Sequence, residues 1–499
     1  MQFEWLTVKT SPMLAKTILI LIAPLLLQIT SAQVPQGSAA KSCATTTPLS
    51  LREALSLAAA DNLSVAIAET AIGSAEATRK QLNSAWFPTL LVTGKYTHTT
   101  SPIGIETSLG QMGSGLLPTL APLIGSNPQL AEIVGEIAAT PIGLSLVPRN
   151  TASVGADLVW PIFSGGRRLK ASSIGDLMVE LGHLQYDASL SRTMAEVTTA
   201  YFTLSLAESV VELRREAVAT LRQHLHDAER LEEEGMIVTA ERLVAEVNCE
   251  QANIALAAAE SDVIVARRAL VALLGQNAPP TPYTTTPLSP PVSLPSLGYL
   301  LDCIATTTTI SQLDVGREIA HNNLTIERSR YLPEIALLGH YRLWSKGLDG
   351  EIFPRGFVGV GVSWSLFDGL AREGAIADWK NRINTIETTR TKAATDLAVA
   401  IEKYYHTTES ALLEVTGTEK SIALAEELLR IKRLSFAEGV ATSSEVVDAA
   451  LLLSEARISR QVAIFTANSS LATLLWLAGM SHSTADYLSP QPQNQLTQQ

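Results

Sequence analysis

Apolar positions along this chain follow two different periods. Over Leu204, Ala207, Val211, Arg214, Val218, Leu221, Leu225, Ala228 and Leu231 they step by three and four, with one polar exception. The same step recurs over Leu412, Val415, Ile422, Leu424, Leu428, Ile431 and Leu434. A narrow seam that mixes alanine with leucine predicts helices packed against several neighbours. Proline removes a backbone donor and clashes with the preceding turn, and none occurs between Pro161 and Pro279 or between Pro354 and Pro490. One helix from Arg167 to Glu234 would run about 100 Å at roughly 1.5 Å per residue, a coiled-coil length. Each long run is interrupted once, at Gly235-Met236-Ile237-Val238-Thr239 and at Gly439-Val440-Ala441-Thr442-Ser443. Glycine there fits a helix C-cap, and Thr239 or Ser443 fits the next N-cap, with an acidic residue in the following first turn. Each run is expected to be a helical hairpin with a tight tip.

Elsewhere the period falls to two. Leu90, Val92, Gly94, Tyr96 and His98 alternate with Leu91, Thr93, Lys95 and Thr97. Val154, Ala156, Leu158, Trp160 and Ile162 alternate with Gly155, Asp157 and Val159. Later, Leu338, His340, Arg342 and Trp344 stand against Leu337, Gly339, Tyr341 and Leu343. Val358, Val360, Val362, Trp364 and Leu366 then stand against Gly359, Gly361 and Ser363. These segments approach the length of a membrane β-strand, and their apolar faces carry aromatics near the ends, as an outer-membrane barrel requires. Four strands cannot close a barrel, and membrane-embedded backbone tolerates no free edge; three chains would supply twelve strands. The fold class expected is mainly α with membrane β: long antiparallel helical hairpins plus four β-strands per chain.

Both periods occur in the same order twice. Displaced by 204 positions, Trp160 falls on Trp364, Phe163 on Phe367, Gly165 on Gly369, Tyr201 on Tyr405, Gly235 on Gly439, Glu241 on Glu445 and Gly275 on Gly479. Upstream, Ser84-Ala85-Trp86-Phe87-Pro88 matches Ser329-Arg330-Tyr331-Leu332-Pro333 at an offset of 245. The 41-residue difference places an insertion in the loop 101–150, read either as a lid over the outer mouth or as a disordered surface insertion. So long a period excludes a solenoid and indicates a duplicated unit. The first repeat covers 49–275: a helix from Leu49 to Ser84, a β-hairpin with the inserted loop, and a long helical hairpin. A proline- and threonine-rich linker, 276–296, leads to a second repeat, 297–479, which opens on a helix from Leu297 to Ser329. Residues 480–499 are expected to be a disordered polar tail.

Composition narrows the function. A net charge of −12 speaks against a nucleic-acid partner. Residues 1–32 have the form of an export signal, with Lys9 and Lys16 before an apolar run broken by Pro24 and small residues at Thr30-Ser31-Ala32. Residues 33–48 read as a flexible leader. Cys43, Cys249 and Cys303 show no disulfide framework or metal spacing. Lys41 interrupts the small apolar run that lipid attachment at Cys43 would need. His224 and His226, two apart, point away from each other on a helix and make no metal site. Gly165-Gly166-Arg167-Arg168 reads as a strand-to-helix bend with basic residues near the membrane face, since no nucleotide motif surrounds it. No nucleophile, metal cluster or cofactor loop has supporting partners, so neither an enzyme nor a cofactor is expected. The rival to a channel is a periplasmic coiled-coil structural protein, against which the alternating strands with aromatic ends argue.

The strand-to-helix segments Trp160-Pro161-Ile162-Phe163-Ser164-Gly165-Gly166 and Trp364-Ser365-Leu366-Phe367-Asp368-Gly369, with the tip segment from Arg433 to Ala449, resemble the TolC family of outer-membrane efflux proteins. The resemblance covers about residues 49–479. It implies a homotrimer whose twelve-stranded barrel lies in the lipid of the bacterial outer membrane and continues as an α-helical tunnel through the periplasm. It implies an inner-membrane pump and a periplasmic adaptor (membrane fusion protein) as partners, and an exit duct for small toxic compounds, with type I protein secretion as the alternative. Glu445 and Asp448 match the family's periplasmic gate, and Glu241 matches the related acidic position of the first hairpin. On the residues alone, Glu445 and Asp448 read first as helix-start acids complementing the macrodipole, and the resemblance is what turns them into gate residues. Gly235, Val238, Thr239, Gly439, Thr442 and Ser443 are turn and cap residues and, by resemblance, the tips where the adaptor docks. Trp160, Pro161, Gly165, Gly166, Trp364, Phe367 and Gly369 mark the barrel-to-tunnel bends. Where some members place a gate-locking Arg and Tyr, this chain has Ala441 and Phe436, which leaves the closed tip to packing alone.

Overall fold

The computed structural model describes residues 49–101, 103–108, 128–139, 141–275, 285–347 and 354–488. The expected export signal and leader, Cys43 included, lie outside them. The chain runs α1 (Leu51–Asp61), α2 (Leu63–Asn83), β1 (Thr89–His98), β2 (Ile103–Ser108), α3 (Pro128–Ala139), β3 (Pro141–Val147), β4 (Asn150–Phe163), α4 (Arg167–Glu233), α5 (Thr239–Leu274), α6 (Leu297–Asp302), α7 (Thr308–Ser329), β5 (Glu334–Lys346), β6 (Gly356–Ser363), α8 (Ala371–Ala437), α9 (Ser443–Leu477) and α10 (Thr484–Leu488). The long helices α4 and α8 hold 67 residues each and are offset by 204 at both ends.

Their ends are made by glycine. Gly235 (φ +73°) and Gly439 (φ +74°) adopt the left-handed conformation that L side chains disfavour. The next amide then reaches back over the last turn: Met236 N donates to Leu231 O and Val440 N to Ser435 O, each at 2.8 Å. Prolines being absent and both ends capped, nothing stops the helices before the tip.

Each opening helix, expected to be continuous, is broken. The breaks fall at Asn62 and at Thr307, which are 245 positions apart. Asn62 accepts the Ser64 amide at 2.8 Å and donates to Leu273 O at 2.7 Å, so one side chain ends α1, starts α2 and ties both to the base of α5. Gly275 closes against this break: a Cβ there would lie 2.3 Å from Asp61 O.

Of the apolar cores among the described residues, two are large. One joins the bases of both hairpins, where Leu51, Ala54 and Ala58 meet Tyr201, Leu204, Leu270, Leu471 and Leu475. The other lies near the tips and welds the two hairpins together through Val218, Leu221, Ala228, Ala245, Leu429, Phe436, Val446 and Val447. Linker residues from Thr285 onward are strapped to the first core: Tyr201 bonds Leu49 O and the Thr286 hydroxyl, and Asn468 donates to Ser289 O. The expected disordered tail is folded as far as Leu488. Ala485 and Leu488 are buried in the same core, Val292 N donates to Tyr487 O, and Arg52 pairs with Asp486. Two apolar side chains with a core to fill outweigh the entropy of the short segment.

The main sheet is antiparallel in the order β1-β4-β5-β6, so the β4–β5 pair joins the two repeats. Within the inserted loop, β2 and β3 pair in a second sheet, and α3 lies between them in the chain. Register puts Leu90 beside Leu158, Trp160 beside Leu337 and Leu337 beside Val360 on one face. On the other lie Thr93, Lys95, Asp157, His340 and Arg342. A register shift between Val154 and Gly155 sets Trp344 beside Val154, moving it from the expected His340 face to the apolar one. Strand β6 stops at Ser363, short of Trp364 and Leu366.

Candidate functional site

Three places carry candidate functional residues: the joints between sheet and helices, the polar face of the sheet, and the hairpin tips. The joints are built alike. In the first, Trp160 Nε1 donates to Trp86 O at 3.0 Å, while the Arg168 guanidinium lies 4.6 Å over the Trp86 ring and donates to Ile162 O. In the second, Trp364 Nε1 donates to Tyr331 O at 3.0 Å, while Arg372 lies 4.6 Å over the Tyr331 ring and donates to Leu366 O. An aromatic platform with a cation above it thus fixes the angle at which each strand enters its helix. Pro161 sits at a register shift of β4, where its missing donor is tolerated. Gly165 is held against Ser329 O, 2.8 Å from where its Cβ would be. Phe367 is exposed. Arg372, Trp86 and Tyr331 were not among the expected bend residues, although Arg372 stands 204 positions after Arg168.

The copies diverge in weight. Arg372 is buried, paired with Asp368 at 3.1 Å and also bonded to Arg330 O and Ser365 O. The first joint has Ser164 in place of Asp368. Conversely, Gly166 (φ +86°) has Leu370 as its counterpart, still at φ +68°. Across the repeats, Arg167 pairs with Glu334.

On the polar face of the sheet, Asp157 accepts from the Thr93 hydroxyl at 3.0 Å and lies 2.7 Å from His340 Nδ1, bridging three strands. Gly155 leaves room for the imidazole; a Cβ there would come within 2.7 Å of His340 Cε1.

At the tips the caps fall one residue earlier than expected. Val238 and Thr442 are the N-caps, and Thr239 and Ser443 are the first helical residues, because the extended backbone conformation that ends the turn is reached at Val238 and Thr442. Thr442 Oγ1 accepts the Glu445 amide at 3.4 Å, whereas Val238 offers no side-chain bond. Ser443 is fully buried. Its amide donates to Glu241 at 2.6 Å and its hydroxyl meets His224 Nε2 at 2.7 Å, both from the first hairpin. Glu241 therefore caps the start of α9, where the helix dipole favours a carboxylate. His224 sets its ring edge against Phe436, centroids 4.6 Å apart, and its burial pushes the imidazole pKa down. The hairpins are thus tied by polar groups as well as packed, which corrects the expectation of packing alone. The structure does not bring the three acidic residues together as one set. Lys432 pairs with Glu445 and holds its carboxyl below the usual range, and Asp448 is exposed with no ion pair among the described residues. No sequence signal links His224 to a serine 219 residues away.

The chain thus combines a four-stranded antiparallel sheet, with one apolar and one polar face, and two long helical hairpins. The chain matches the model of the outer membrane efflux protein family over residues 54–276 and 304–475, and it belongs to that family; its place is the outer membrane. Over 163 residues it is 30% identical to outer membrane efflux protein BepC of Brucella suis biovar 1 (strain 1330), an alignment covering 32% of this chain and 33% of that protein. The chain is thus aligned with only about a third of that relative's length. Its fold is similar to that of the Neisseria gonorrhoeae MtrE outer membrane channel in its open state (TM-score 0.65, 18% identity, 86% of this chain and 88% of that one). It is also similar to the Campylobacter jejuni CmeC outer membrane channel (TM-score 0.65, 13% identity, 86% of each chain). CusC gives a TM-score of 0.69 at 15% identity, over 86% of this chain and 91% of that one.

Proposed function

We propose that three copies close into a twelve-stranded barrel and a continuous helical tunnel, forming the exit duct of a tripartite efflux system. In this reading small toxic compounds pass from an inner-membrane pump and a periplasmic adaptor to the outside. The observation that carries it is the sheet: β1 and β6 have no further strand partner among the described residues, and its two faces differ as lipid and water differ. Supporting it, α8 leaves Leu413, Leu424, Ile431 and Leu434 exposed along its length, a stripe that neighbouring protomers would cover. The tips would be the adaptor-docking surface: Val440 is 80% exposed and Val238 65%, apolar side chains with no cover of their own. Glu445 and Asp448 would form the periplasmic gate, whose six carboxylates attract cations. The domain limits 49–275 and 297–479 stand as two structural repeats of one duct. Single-channel recording tests the gate: Glu445→Ala with Asp448→Ala should weaken block by multivalent cations. Unchanged block in an assembled trimer would contradict the assignment.

A further inference from the structure

The tip of the second hairpin is held by one buried histidine that the duct reading does not use. His224 is only 4% exposed, and Ser443, its partner, is fully buried. The bond spans the two hairpins and acts on the first residue of α9, the helix that carries Glu445 and Asp448. The groups around the imidazole come from all four helices of the hairpins: Asp227, Arg230 and Glu234 from the α4 end, Glu241 from α5, Arg433 and Phe436 from α8, and Ser443 from α9. A cleft of about 320 Å³, lined by His224, Asp227, Arg230, Glu234, Arg433 and Phe436, lies beside the ring. Solvent protons therefore reach it without unfolding of the tip.

We propose that His224 is a pH-responsive positioning residue for the gate: neutral, it holds Ser443 and with it the first turn of α9, and when protonated it withdraws into the cleft and lets the second tip move. This rests on the exit-duct reading. A charged imidazolium is disfavoured in place by burial, whereas the cleft offers it the Asp227 and Glu234 carboxylates, so protonation and withdrawal go together. Burial is the main cause that holds the ring below its ordinary value of 6.5; Arg433 acts in the same direction, while Asp227, the contact with Ser443 and Glu241 pull the other way. The fold thus favours the neutral ring. Its contribution is complete above the unfolded-state value and is lost as pH falls below that value through the folded-state one. With His224 withdrawn, the Ser443 hydroxyl has no partner and only the Glu241 tie remains.

The test is the open probability of the full-length protein, reconstituted as a trimer in planar bilayers, recorded from pH 7.5 to pH 5. The unaltered protein should open more as pH falls, by about fivefold per protomer, the equivalent of one hydrogen bond of about 1 kcal/mol. His224→Gln keeps a neutral amide in the site and should give a flat profile at the level seen at pH 7.5. Ser443→Ala removes the hydroxyl and should give a flat profile at the raised level. A pH response in His224→Gln equal to that of the unaltered protein would overturn the proposal, as would a flat profile in the unaltered protein. Assembled trimers that pass no current in any form would instead overturn the duct reading itself.

Discussion

At the first tip, Val238 precedes α5 without a side-chain bond to it; at the second, Thr442 caps α9 and Ser443 receives two ties from the other hairpin. The groups that make the ties, His224 and Glu241, both belong to the first hairpin. Along the shafts the contrast continues: the α4 seam buries Val211, Val218 and Leu221, while α8 leaves Leu424, Ile431 and Leu434 in solvent. The first hairpin is the frame and supplies the holding groups. The second is held, and it carries Glu445, Asp448 and the uncovered apolar stripe. The two long helices are equal in length, but their substitutions give the two hairpins different tasks.

The joints show the same division, and their variants should differ most. Arg372→Ala would strip the buried partner from Asp368 and remove three backbone ties, so it should cost about 3 kcal/mol or more and lower the temperature at which the trimer dissociates on semi-native gels. Arg168→Ala should cost clearly less, because the first joint has no buried carboxylate. Equal effects would erase the distinction between the joints.

At the tips, Ser443→Ala should loosen the closed state by about 1–2 kcal/mol and raise conductance, whereas Thr239→Ala, its counterpart 204 positions earlier, should leave both unchanged. A smaller effect is expected at the Gly166 and Leu370 pair. Leu370→Gly should raise trimer stability by about 1 kcal/mol per chain, since an L residue at φ +68° carries that cost; the thermal midpoint measures it. The smallest effect concerns the half-buried Lys432–Glu445 pair. The carboxyl lies below its ordinary 4.5, so the pair persists above that pH and is lost as pH falls through the lowered value. Lys432→Ala should shift the pH at which cation block disappears upward, towards the ordinary carboxylate range, with little change in stability.

Much of this was legible in the sequence because equal hairpins have to be equal in length to pack side by side. Glycine at 235 and 439, the aromatic strand ends and the missing prolines fixed the ends of both long helices in advance. Periodicity failed where it could not say which neighbour a seam faces. The second-copy stripe through Leu424, Ile431 and Leu434 is regular but points away from the protomer's own core, which is filled by Ala411, Val415, Ala425 and Leu429. A register shift moved Trp344 to the other face of the sheet, and alternation alone cannot foresee a bulge. The ordered tail and the His224–Ser443 bond escaped for a common reason: both depend on partners brought close only by the completed fold.

The central claim is that β1 of one protomer closes on β6 of the next. Cysteines placed in pairs along these two strands, followed by oxidation in outer-membrane fractions and native mass determination in mild detergent, test it directly. The account predicts cross-links at a consistent register and a particle of three covalently joined chains. A monomer or dimer in the soluble periplasmic fraction, with no β1–β6 cross-link, would contradict it.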